Sequence, residues 1–400
     1  MKKRPCDLRT IAVHAGRDDL GALGVHAPPI DLSTTNPLPT IAQGGDSYEA
    51  LASGGLPGEG GAVYGRLWNP TVARFETALA QLEHAEAGVA FATGMAAFSA
   101  ALLAFTVVTG KRHVVGVRPL YGGSDHLLAT GLLGAETTFC RPDQVAASLR
   151  PDTGLVVMET PANPTLELVN IRAVADQAGA VPVLVDNTFA TPVLQNPLDH
   201  GAALALHSAT KYIGGHGDVM GGVLACSDEL AERIRPIRAI TGALLHPLAG
   251  YLLHRGLATM PVRVHAQQQS AARLAQWLTG HPAVAEVFYP GLDGDPSGLI
   301  GTQLRGGGAM ISMRLAGGLP AAERLTSRVR IFTHAVSLGG VDSLIESPAA
   351  LTHRPVAGDA RPDPGIVRMS IGLECADDLI ADLAGAMAPA SSPATTVATI

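Results

Sequence analysis

The sequence predicts an α/β fold, a mostly parallel sheet covered by helices, followed by a smaller C-terminal α+β domain. Three observations lead there. Six short apolar runs, at residues 89–92, 113–117, 155–158, 181–185, 204–207 and 223–226, are continuous rather than alternating, the pattern of strands buried on both faces. Stretches of helical character at 123–133, 143–149 and 170–179 lie between them. Beyond a long helical stretch at 261–278 the alternation stops, and strands at 284–289 and 309–315 precede a helix at 321–328.

Taken in order, residues 1–60 are rich in glycine and proline and weakly periodic, so they read as an extended N-terminal arm with little core of its own. Asn69-Pro70 supplies a cap residue and a first-turn proline. Val72, Phe75, Leu79 and Leu82 then recur at helical steps as one apolar stripe. Residues 61–260 form the expected large domain and 261–387 the small one. The small-residue tail, 388–400, is expected to be flexible.

The 400 residues are 47 % hydrophobic and 16 % charged, which excludes a disordered chain. A net charge of −7 argues against a nucleic-acid partner. Cys6, Cys140, Cys226 and Cys375 form no CxxC pair, the 14 histidines are scattered, and no HExxH occurs. No metal site is expected, and the cysteine pattern suits a reducing cytoplasm. The basic start MKKRPCDLRT is followed by charges rather than an apolar core, so no targeting segment is read. Residues 87–110 carry no charge and are long enough to cross a bilayer. However, Thr93-Gly94-Met95 would place an open turn in lipid, so no membrane span is expected.

The sharpest chemical signal is Ser208-Ala209-Thr210-Lys211-Tyr212-Ile213-Gly214-Gly215, just after an apolar run. Burial of a lysine depresses its pKa, and a neutral amine is what imine formation requires. By itself the lysine also fits an exposed strand end. Asp186, at the end of Val183-Leu184-Val185-Asp186, suits a buried counter-ion for a pyridinium nitrogen, or equally a turn or cap aspartate. Thr93-Gly94-Met95 opens a helix where free N–H groups can hold an anion, or is a plain tight turn.

With these parts in place, the chain resembles the pyridoxal phosphate (PLP)-dependent Cys/Met metabolism family, which includes cystathionine γ-synthase, cystathionine γ-lyase and methionine γ-lyase. The likeness runs from about His14 to Glu374. It rests on Tyr64-Gly65-Arg66, Asn69-Pro70-Thr71, Leu120-Tyr121-Gly122-Gly123, Glu159-Thr160-Pro161-Ala162-Asn163-Pro164-Thr165 and Asp186-Asn187-Thr188. Ser208–Gly215, Ser337-Leu338-Gly339-Gly340, Thr352-His353 and Val367-Arg368-Met369-Ser370-Ile371-Gly372 complete it. The resemblance implies PLP-dependent transferase fold type I and PLP as cofactor. Lys211 would hold PLP and shuttle protons, Asp186 would pair with the ring nitrogen, and Asn163 would sit near the ring oxygen. Tyr121 would stack on the ring and act as acid or base. Gly94, Met95, Ser208 and Thr210 would bind the phosphate, as would Tyr64 and Arg66 in a neighbouring subunit. At least a dimer is therefore implied, and the resemblance makes it a homotetramer, the usual assembly of the family. Arg368, with Ser337, would clamp the substrate α-carboxylate. Gly65 in place of Ser or Thr, Thr93 in place of Ser, and the Leu67-Trp68 turn depart from the family pattern.

Reaction choice falls to the pocket. Relatives acting on cystathionine commonly carry acids where this chain has Val63 and Val336, so an apolar lining points to a methionine γ-lyase-like carbon–sulfur lyase acting by γ-elimination. Gly123, where methionine γ-lyases usually have cysteine, and Ser337-Leu338-Gly339-Gly340-Val341-Asp342-Ser343-Leu344 lean toward cystathionine γ-lyase or the γ-replacement of cystathionine γ-synthase. A non-catalytic PLP-binding protein would have no need of Lys211, Tyr121 and Arg368 together.

Overall fold

Each apolar run of the first half becomes a strand of one seven-stranded sheet, in the order β1-β7-β6-β5-β4-β2-β3. The computed structural model describes residues 6–292, 294–356 and 358–388, so most of the tail at 388–400 lies outside the described residues. In chain order, α1 (Leu8–His14), α2 (Ile41–Ala52) and α3 (Pro70–Leu82) lead into β1 (Ala87–Phe91) and α4 (Gly94–Phe105). Next come β2 (His113–Val117), α5 (Gly122–Thr130), β3 (Glu136–Cys140), α6 (Val145–Ser148), β4 (Thr153–Glu159), α7 (Ile171–Ala178) and β5 (Val183–Asp186). Then α8 (Thr191–Leu194), β6 (Leu204–His207), β7 (Gly222–Cys226), α9 (Asp228–Thr241) and α10 (Pro247–Thr279) complete the first half. β7 runs antiparallel to both its neighbours, whereas β2 to β6 are joined by parallel pairs.

Two apolar layers cover this sheet. Val89, Phe91, Leu155, Leu184 and Leu224 pack with Phe98, Ala101 and Phe105 of α4 and with Ile234 of α9. On the opposite face, Val115, Val156, Met158 and Val185 meet Ile171 and Val174 of α7. Residues 87–110 thus divide into β1, a turn and α4, and among the described residues no helix is long and apolar enough to cross a membrane.

The second sheet is five-stranded, in the order β10-β11-β12-β9-β8. It is built from β8 (Val284–Phe288), β9 (Met310–Leu315), α11 (Gly318–Arg328), β10 (Thr333–His334), β11 (Leu344–Glu346), β12 (Ile366–Ser370) and α12 (Ala376–Met387). Ile311, Met313, Val367 and Met369 pack against Leu274 and Leu278 of α10 and Leu379 and Leu383 of α12. The 33-residue α10 serves both halves. Its Leu253 and Leu257 join the core around Phe75 and Leu79 of α3, while its C-terminal half roofs the second sheet.

Some elements differ from expectation. The described part of the 1–60 segment contains two helices, each capped by a side chain: Asp7 on α1 and Thr40 on α2. Pro261 lies inside α10 rather than at its start, which His246 caps at Pro247, fourteen residues earlier. The 143–149 helix shrinks to a 3-10 turn at Pro142–Gln144 followed by the short α6.

Candidate active site

Four carriers of chemistry leave the same edge of the large sheet, where open α/β sheets hold ligands. Glu159 is the last residue of β4, Asp186 the last of β5, Lys211 follows β6, and the Thr93 turn follows β1. They line one cavity of about 440 Å³ together with Gly94, Met95, Tyr121, Asn163, Ser208, Thr210, Val336, Ser337 and Arg368.

At one end is an anion cradle. Thr93 caps α4 through its side chain, which accepts from Ala96 N at 3.0 Å. The first-turn N–H groups of Gly94 and Met95 have no intrahelical acceptor within reach. A Cβ on Gly94 would lie 3.0 Å from Ser208 Cβ, and one on Gly222 only 2.1 Å from the Thr93 carbonyl oxygen. Bare backbone is therefore required on both sides of the turn. Ser208 contributes its hydroxyl side, whereas the Thr210 hydroxyl already donates to Gly221 O at 3.2 Å and accepts from Gly221 N at 3.1 Å.

Asp186 Oδ1 accepts from Thr188 N at 3.0 Å and Thr188 Oγ1 at 2.5 Å, and Thr188 Oγ1 in turn accepts from Ser208 N at 2.9 Å. Burial raises the Asp186 pKa against the opposing pull of those bonds, so the carboxylate gains from a cationic partner. The sequence alone does not assign Glu159 to the site. It accepts from Tyr121 N at 2.7 Å and Asn163 N at 2.8 Å, holding both residues at the cavity. Burial, and then the nearby Asp186, push its pKa well up.

Lys211 Nζ donates to Ser337 Oγ at 2.6 Å. Burial and then the Arg368 charge lower its pKa to about 8, so the amine is readily neutral. Arg368 donates from Nη1 to Asn163 Oδ1 at 2.9 Å and from Nη2 to the Ser337 carbonyl at 3.1 Å. The loop bearing Ser337 is pressed onto the lysine loop: Gly339 has φ +77°, and a Cβ there would lie 2.6 Å from Tyr212 N. Burial raises the Tyr121 pKa, with Arg368 opposing it.

Val63, Tyr64 and Arg66 do not line this cavity. Val63 is buried beside Leu51, Leu67 and Ala239. Tyr64 is 42 % exposed, and Arg66 stacks over its ring and donates to Ala239 O at 2.9 Å. Two departures acquire a steric reason. A Cβ on Gly65 would lie 3.0 Å from Ser33 O, and one on Gly123 would lie 2.6 Å from Tyr121 Cε1.

The family of Cys/Met metabolism PLP-dependent enzymes matches residues 9–388. The chain belongs to that family. It is 60 % identical over 380 residues to L-methionine gamma-lyase of Brevibacterium sandarakinum, covering 94 % of this chain and 96 % of that protein. It is 54 % identical over 392 residues to L-methionine gamma-lyase of Streptomyces avermitilis, covering 97 % and 91 %. The solved cystathionine gamma synthase of Xanthomonas oryzae pv. oryzae superposes with TM-score 0.87 at 36 % identity, covering 96 % and 98 %. The apo form of a methionine gamma lyase from Micromonospora echinospora superposes with TM-score 0.83 at 36 % identity, covering 96 % and 99 %. The fold is thus that of the PLP-dependent fold type I enzymes, and the family's cofactor is PLP.

The residues present fit that cofactor. A buried acid in need of a cation, a helix N-terminus flanked by glycine contacts and a serine, and a lysine with depressed pKa face one cavity. Of the residues involved, Glu159 carried a sequence signal through the Glu159-Thr160-Pro161 motif, and Thr188 through Asp186-Asn187-Thr188. Glu346, described below, carried none.

Proposed function

We propose that the protein is a methionine γ-lyase-like carbon–sulfur lyase, converting methionine and water to 2-oxobutyrate, methanethiol and ammonia. PLP supplies an electron sink for charge developing at the substrate Cα. Arg368 and Ser337 grip the α-carboxylate. Lys211, neutral above about pH 8, accepts the Cα proton and then serves Cβ. Tyr121, whose phenol stays protonated because burial raises its pKa, donates toward the departing sulfur. Asp186 would hold the ring nitrogen of that group, and Gly94, Met95 and Ser208 its phosphate.

One observation carries the substrate choice. Among the described residues, the two carboxylates that line the cavity, Glu159 and Asp186, are committed to backbone and Thr188 donors, while Val336, Met220 and Leu351 form an apolar outer wall. A thiomethyl group suits that wall, whereas the distal ammonium of cystathionine would lack a partner. The names of the two L-methionine gamma-lyases at 60 % and 54 % identity support this choice.

Tyr64 and Arg66 lie outside the lining of this chain's own cavity, which supports a homotetramer built as a dimer of dimers, in which they would complete a neighbour's phosphate site. The four unpaired cysteines suit a cytoplasmic location. The test is separate incubation with methionine, with cystathionine, and with an O-acylhomoserine plus cysteine. Release of 2-oxobutyrate and methanethiol from methionine is expected; turnover of cystathionine alone, or replacement without elimination, overturns the proposal.

A further inference from the structure

Arg368 faces a carboxylate before any substrate arrives. Its Nη2 lies 2.5 Å from Glu346 Oε1, and the pair is almost wholly buried, at 3 % and 1 % side-chain exposure. The partners are set by register: Glu346 on β11 stands opposite Arg368 on β12. Glu346 Oε1 also accepts from Thr352 Oγ1 at 3.1 Å, while its Oε2 is buried without a partner. Both two-pronged edges of a guanidinium, Nη1 with Nη2 and Nε with Nη2, include the nitrogen that Glu346 already holds. A substrate carboxylate gripped at two points must therefore share Nη2 with Glu346. Two ionised carboxylates on one buried guanidinium is the arrangement in which one of them gains a proton.

We propose that Glu346 is a positioning residue that couples substrate binding to protonation: it orients and neutralises Arg368 in the free site, and takes up a proton when the substrate carboxylate binds there. This rests on the reading of Arg368 as the carboxylate clamp. Among the described residues, the charged and titratable neighbours of Glu346 are Arg368 on β12, His334 on β10, and Lys211 and Tyr121 from the cavity side, with Thr352 its polar neighbour. Burial already raises its pKa, and Arg368 is the chief restraint; sharing Arg368 with a second carboxylate removes part of that restraint. Affinity for a carboxylate then falls as pH rises above the free-site pKa of Glu346, by up to roughly tenfold per pH unit. In Glu346→Gln, a neutral isostere, this fall disappears.

The experiment uses the PLP-loaded enzyme and butyrate, a carboxylate without the amino group needed to react. Proton uptake on butyrate binding is measured with a pH indicator in weakly buffered solution, alongside the butyrate inhibition constant across pH. The wild type is expected to take up a proton and to lose butyrate affinity with rising pH. Glu346→Gln takes up fewer protons and gives a flat profile. Thr352→Val, which removes a hydrogen bond favouring the ionised acid, shifts the fall to higher pH. Equal proton uptake and equal slope in wild type and Glu346→Gln overturn the proposal, even where Arg368→Lys abolishes butyrate binding and so upholds the clamp. Butyrate binding unchanged in Arg368→Lys overturns both the clamp and the proposal.

Discussion

Lys211 and Ser337 stand on loops that follow strands of different sheets, β6 and β10, yet the lysine Nζ donates to the serine Oγ at 2.6 Å. Ser337 adopts φ +90°, unusual for a residue with a side chain, so its hydroxyl is held there against local strain. Ser337→Ala is expected to lower kcat/KM about tenfold to a hundredfold, the effect of one hydrogen bond to a charged or reacting group. Ser337→Gly should lose the same activity but gain about 1 kcal/mol of stability over the alanine variant, because glycine accepts positive φ without strain. Denaturant melts of both variants beside their kinetics separate hydroxyl from strain. Equal stabilities would mean that the backbone angle costs nothing.

The depressed pKa of Lys211 predicts how the cofactor-free protein takes up PLP. Only the neutral amine reacts, so the uptake rate should rise with pH and level off above about 8, rather than near the ordinary lysine value of 10.5. The linkage sign is fixed by the same shift. Between those values the unfolded chain binds more protons at this lysine than the folded one, so the stability of the cofactor-free protein rises with pH across that window. Lys211→Met should abolish uptake and flatten that rise. Stopped-flow absorbance and pH-dependent melts check both.

Gly222 is the tightest point of the phosphate cradle, with a Cβ clashing at 2.1 Å against the Thr93 carbonyl. Gly222→Ala must push β7 away from the α4 turn, at about 1–3 kcal/mol or more. PLP should dissociate at least tenfold more readily, as followed by dialysis and absorbance. Normal retention would show that the turn yields without losing its N–H geometry.

Val336 is the pocket residue best placed to change substrate preference. Val336→Glu adds an acid at the outer wall and is expected to raise the cystathionine-to-methionine ratio of kcat/KM by about tenfold or more, chiefly through the KM for cystathionine. A drop in both activities with no change in ratio would place the distal group elsewhere.

Tyr64 and Arg66 predict subunit complementation. Lys211→Ala and Arg66→Ala proteins should each be nearly inactive. Unfolded together and refolded as random dimers, they should regain roughly a quarter of wild-type activity, because half the dimers carry one intact site of two. No recovery would mean that Arg66 serves its own subunit.

Legibility in the sequence followed burial. The strands His113–Val117 and Leu204–His207 were expected at their observed bounds because both faces are covered and every residue is apolar or enclosed. β3, Glu136–Cys140, is not legible in the sequence: it is an edge strand, partly exposed, and its Glu-Thr-Thr pattern carries no apolar run. The sequence shows only the C-terminal part of α10 because Pro261 mimics a helix start, although tertiary packing of Leu257 and Met260 carries the helix through it. Within the site, Lys211, Asp186 and Arg368 stood out because their motifs are dense in special residues. Glu346 did not, since a lone acid in Leu344-Ile345-Glu346-Ser347 looks like any surface residue until the register with β12 turns it against Arg368.

The bare contact between Gly339 and Tyr212 fixes a distance. With no side chain able to stand between the two loops, the amine and the serine keep their spacing whatever happens beside them. Val336, three positions earlier and half exposed, is under no such constraint. A new substrate can therefore be tried at the wall while the ruler that measures its amino acid end stays the same length.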